Sequence, residues 1–85
     1  MTCTTTVTWA SVNDKLDNEV FNDERWAKIK SMVKEGKTNG RVVSQPDSPV
    51  ASMTFTTQQS AEEWKAFIEA LAAKYNKSIT SIQIQ

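Results

Sequence analysis

The sequence predicts an α+β fold in which a four-stranded antiparallel sheet carries two helices on one face. Three observations lead there. A segment of period two at residues 4–10 precedes a helical apolar stripe that starts at Trp26, and a second at residues 50–57 precedes a stripe that starts at Trp64. Placing Glu24, Arg25 and Trp26 over Glu62, Glu63 and Trp64 puts Ile29 on Phe67 and Val33 on Leu71. Each half then closes with a short β-like run, at residues 41–44 and 79–85, so two β-α-β units share the 85 residues.

The first strand, residues 4–10, puts Thr5, Val7 and Trp9 on one face and Thr4, Thr6, Thr8 and Ala10 on the other. Residues 11–22 read as an irregular acidic loop, because three asparagines and two aspartates favour turns through side-chain bonds to the backbone. A single helical turn fits around residues 16–20. The first helix begins with Asn22 as its cap, with Asp23 and Glu24 at the positive end of the dipole and Phe21 set to staple against Trp26. Trp26, Ile29, Met32 and Val33 form its stripe, and Gly36 ends it in a left-handed conformation.

A second strand at residues 41–45 and the turn at residues 46–49 lead into the third strand, where Ala51, Met53 and Phe55 face inward. The second helix starts with a capping box, Ser60 with Glu63, and carries Trp64, Phe67, Ile68, Leu71 and Tyr75 at core-facing spacing, with Asn76 as its stop. In the last strand Thr80, Ile82 and Ile84 face inward. The expected core is Val7, Trp9, Trp26, Ile29, Val33, Met53, Phe55, Trp64, Phe67, Ile68, Leu71, Ile82 and Ile84.

In this arrangement residues 1–85 form a single domain that resembles the ferredoxin-like β-α-β-β-α-β sandwich, with the first and third strands central. The resemblance is to the fold as a whole, which hosts many unrelated functions. The uncovered sheet face is polar and uncharged: Thr4, Thr6, Thr8, Ser52, Thr54, Thr56, Ser81 and Gln83.

The chain contains no histidine and a single cysteine, Cys3. That removes the commonest general base and metal ligand, Ser-His-Asp catalysis, an internal disulfide, and both a histidine to activate the thiol and a second cysteine to resolve it. Its two glycines, Gly36 and Gly40, form no phosphate-binding loop. The acids lack calcium-loop spacing. The sequence therefore points to no catalytic residues, no metal and no cofactor. No apolar run approaches the roughly 20 residues of a membrane span. The amino-terminal residues have no charged and apolar pattern of an export signal, which fits a cytoplasmic protein.

Ten basic residues balance ten acidic ones, but unevenly. Residues 13–24 hold Asp14, Asp17, Glu19, Asp23 and Glu24 against Lys15, whereas residues 25–41 hold six bases against Glu35. The expected function is a small non-catalytic protein-interaction or regulatory module of the kind found among phage and mobile-element accessory proteins. Its candidate partner-binding residues are Asp14, Asp17 and Glu19 in the acidic loop and Lys30, Lys34 and Lys37 in the basic run, with the exposed sheet face or edge as a further surface. Either a monomer or a homodimer fits. The alternative is a small-molecule or nucleotide-binding domain, with the ligand at a dimer interface or between helix and loop. Weak nucleic-acid binding through residues 28–41 ranks third, since the open face offers threonines where RNA-binding modules place stacking rings.

Overall fold

In the computed structural model, which describes residues 2–15 and 19–85, the chain runs β1 (Cys3–Trp9), α1 (Val12–Lys15), α2 (Glu19–Lys34), β2 (Thr38–Ser44), β3 (Val50–Phe55), α3 (Gln58–Lys74) and β4 (Ile79–Ile84). All strand pairs are antiparallel, in the order β2-β3-β1-β4, so β1 and β3 are central. Cross-strand register puts Thr5 opposite Met53 and Val7 between Ala51 and Ile82. Thr5, Val7, Trp9, Met53 and Phe55 are buried on the face covered by α2 and α3. A hydrogen bond of 3.1 Å from Thr5 Oγ1 to the Ala61 carbonyl fixes α3 against β1. The opposite face carries Thr4, Thr6, Thr8, Ser52 and Thr54, with a 2.9 Å hydroxyl pair between Thr4 and Thr54.

Helix α3 begins one turn earlier than the capping box at Ser60 suggests. Thr57, in extended backbone, is the cap, and its hydroxyl accepts the Ser60 N–H at 3.1 Å. Ser60 then lies buried in the first turn. Both long helices end in the same double-bonded motif. In α2, Gly36 N donates to Val33 O and Lys37 N to Met32 O; in α3, Asn76 N donates to Ala73 O and Lys77 N to Ala72 O. Gly36 and Asn76 both take positive φ, as the left-handed position of that motif requires.

The largest departure from the sequence reading is in residues 11–22. Ser11 caps α1: its hydroxyl accepts the Asp14 N–H and donates to the Asp14 carboxylate at 2.8 Å. Helix α2 begins at Glu19, so Asn22 is inside the helix and is not its cap, and Phe21 is a helical core residue. The turn expected at residues 16–20 falls in part outside the described residues. With Phe21 in the helix, the buried face becomes Phe21, Ile29 and Met32. Trp26 and Val33 lie about 120–140° around the helix from Phe21, and they are 44% and 43% exposed. Their places in the expected core go to Phe21, Met32, Ala61 and Ala72. Phe67, Ile82 and Ile84 pack against that core while partly exposed. In β4 a register shift near Trp9 sets Ile79 opposite Trp9, so Thr80 faces solvent instead of the core.

Strand β2 starts at Thr38, three residues before the expected start, and contains a bulge. Between Thr38 and Val42 it advances four residues while β3 advances two, from Phe55 to Met53. Gly40, at φ +77°, makes that bulge, and a Cβ there would lie 2.8 Å from Val33 Cγ2 and 3.4 Å from Ile29 Cγ2. Gly36 has a similar φ but open space around it. Gly36→Ala is therefore expected to cost about 1 kcal/mol through backbone strain alone. Gly40→Ala adds the clash with α2 and should cost about 2–3 kcal/mol in total. In thermal unfolding Gly40→Ala should lower Tm clearly further than Gly36→Ala, at roughly 4–8 °C per kcal/mol.

Candidate binding cleft

Across one end of the sheet, Val7 of β1, Ala51 of β3 and Ser44 of β2 sit side by side on the covered face. The next row, Thr5, Met53 and Val42, is bulkier at its centre. The small Ala51 and Ser44 side chains leave space beneath α2 where larger residues would have filled it. The result is a cleft of about 540 Å³, within the size range of small-molecule sites. Val7, Met53, Ile29 and Ile68 give it apolar walls, and all three tryptophans of the chain, Trp9, Trp26 and Trp64, line it.

The polar groups of the cleft are mostly donors. Lys15, at the end of α1, is only 5% exposed; its ammonium donates to Ser44 Oγ at 2.8 Å and to the Gln45 carbonyl. Arg25 and Asn22 line the α2 wall, with the Arg25 guanidinium 5.1 Å above the Phe21 ring and donating to Asn22 Oδ1 at 3.3 Å. Trp9 Nε1 is enclosed and has no hydrogen-bond acceptor among the described residues. No carboxylate and no thiol lines the cleft among the described residues.

The structure does not gather the residues singled out from the sequence into one site. Asp14 is tied into the fold: beyond its Ser11 contact, its Oδ1 accepts the Ser78 N–H at 3.1 Å. Those bonds and the nearby Lys77 charge hold its carboxyl below the usual range. Asp17 and the Glu19 side chain lie outside the described residues. Lys37 is bonded to Glu63 at 2.9 Å and lies 3.5 Å from Glu35. Lys30 and Lys34 are exposed, beside a shallow depression that includes Trp26, Val33 and Gly40. The sequence reading missed Lys15, which it had placed in the acidic loop only as a counter-charge, and the cleft itself. The available signal was the pair of small residues, Ser44 and Ala51, beside the larger Val42 and Met53 on the same strands.

No protein-family model matches the chain, and no curated protein or solved structure matches it. No helix among the described residues is long and apolar enough to cross a membrane.

Two ionic clusters join α2 to α3. Glu63 accepts from Lys28 and Lys37, both at 2.9 Å. Glu24 accepts from Lys74 at 2.9 Å and from the Tyr75 hydroxyl. These partners hold both carboxyls below their ordinary values and raise Lys37, Lys74 and Tyr75 above theirs. Depressed carboxyls stabilise the fold above the unfolded carboxylate range, about pH 4, and that contribution is lost as pH falls through the folded values. The raised bases and phenol stabilise it below about pH 10, with loss as pH rises through their folded values. The melting temperature should thus form a plateau between about pH 5 and about pH 9.5 and fall on both sides. Glu63→Gln should shrink both limbs, because it removes a depressed acid and the partner of Lys37. Thermal unfolding across the pH range measures this directly.

Proposed function

We propose that the protein is a non-catalytic binding module that holds a small ligand in the cleft between α2 and the sheet, and that its scaffold is a ferredoxin-like β-α-β-β-α-β sandwich extended by α1. The sheet order with β1 and β3 central supports the scaffold reading. The observation that carries the functional reading is a cleft of about 540 Å³ in an 85-residue chain, apolar in its walls, one of whose lining residues, Trp9, has an enclosed indole N–H without an acceptor among the described residues. Burying a polar group unanswered is costly, and a ligand that supplies the acceptor removes that cost. The carboxylates of Asp14, Glu24 and Glu63 are bonded outside the cleft, and no carboxylate lines it among the described residues.

A protein partner over the same region is the second reading. It is favoured by Trp26, Val33 and Val42, which stay exposed although all three are apolar, two of them lining the cleft. Such a partner would cover the opening; a small ligand would occupy the interior.

Small aromatic and aliphatic probes separate these readings. Titration with 4-phenylbutanol, octanol and their carboxylate counterparts should perturb the indole N–H resonances of Trp9, Trp26 and Trp64 and raise the melting temperature. At 100-fold excess over Kd the stabilisation is about 2.7 kcal/mol. Ala51→Leu puts a larger side chain on the cleft floor; it should keep the fold and abolish the response to every probe. Undiminished binding by that variant would move the site elsewhere.

A further inference from the structure

Two buried residues that line the cleft, Lys15 and Trp9, each carry a donor at their polar end. Lys15 is almost completely buried, and its partners, the Ser44 hydroxyl and the Gln45 carbonyl, are neutral. No carboxylate among the described residues pairs with it. An ammonium has three donors, and here two are answered. Trp9, which also lines the cleft, has an enclosed indole N–H with no acceptor among the described residues. A buried cation without a counter-ion destabilises a fold unless an anion completes it, and charge-assisted hydrogen bonds are the strong ones.

Resting on the cleft-binding reading above, we infer that the ligand is a small amphiphilic monocarboxylate. Its carboxylate is taken by the Lys15 ammonium and the Trp9 indole N–H, and its aromatic or short aliphatic body lies against Val7, Ile29, Met53 and Trp64. A single negative charge answers a single buried ammonium. The cleft lacks the glycine-rich cradle of backbone N–H groups that a phosphate would use, since Gly36 and Gly40 lie outside its lining.

The test compares matched pairs that differ only at the polar end: 4-phenylbutyrate with 4-phenylbutanol, and octanoate with octanol. Each is titrated calorimetrically into the intact protein near neutral pH. The carboxylate of each pair should bind at least about tenfold more tightly and should shift the Trp9 indole N–H resonance more strongly than the alcohol does. Lys15→Met should reduce the carboxylate to the affinity of the alcohol while leaving the alcohol unchanged. If that variant does not fold, the ranking of each pair on the unaltered protein and the Trp9 resonance decide the matter. Equal affinity within each pair overturns the carboxylate assignment and leaves the cleft-binding reading standing. Absence of binding by all four probes overturns both.

Discussion

The arrangement depends on Phe21. Its ring is fully enclosed and meets the Trp9 ring edge-on at 5.9 Å and the Tyr75 ring at 5.6 Å. One side chain of α2 thereby reaches the end of a central strand and the cap of α3. Trp26, one turn on, is turned partly to solvent. A chain of this size buries only about 60–65% of its unfolded surface, so one aromatic contact of this kind carries a large share of the stability. It also sets the height of α2 above the sheet, and the cleft is the space that this height leaves over Ala51 and Ser44.

Electrostatics secure the helix where packing is thin. Glu24 ties the first half of α2 to the end of α3 through Lys74 and Tyr75, and Lys28 ties its middle to Glu63. Such exposed pairs contribute little individually, but they lie between the same two helices and share acceptors. They also use up charge that the sequence presents as a free dipole. Glu24 of the acidic run is answered by Lys74 at the end of α3, and Lys28 and Lys37 of the basic run by Glu63 near its start, while the buried cation at the cleft is Lys15.

Much of the scaffold was legible because its signals are periodic. The alternation at β1 and β3, and the stripe of α3 from Trp64 through Leu71, identify their elements and inward faces from residue type alone. The phase of α2 was not legible. Asparagine and aspartate around Phe21 read as turn formers, so the helix was started after Phe21, and the exposed Trp26 took its place in the core. Local preference was overridden by the tertiary contact of one phenylalanine with Trp9 and Tyr75. The cleft was harder still to foresee, because it is made by what is small: Ala51 and Ser44 look like ordinary strand residues until register puts them in one row. Lys15 looked like a stray base among acids until α1 turned it inward.

The bulge at Gly40 has a consequence for how the molecule behaves in a crowd. Strand β2 is an outer strand, and Val43 on it is 66% exposed. A long, regular, apolar border of this sort would serve as a template for copies of the chain to zip together into fibres. The irregular step between Thr38 and Val42 leaves regular pairing only from Val42 to Ser44, and Pro46 follows within two residues. Three residues are the bottom of the usual strand length, and a very short edge is a poor template for another strand. The same glycine that lets α2 approach the sheet thus shortens the regular part of that border and blunts it as a template.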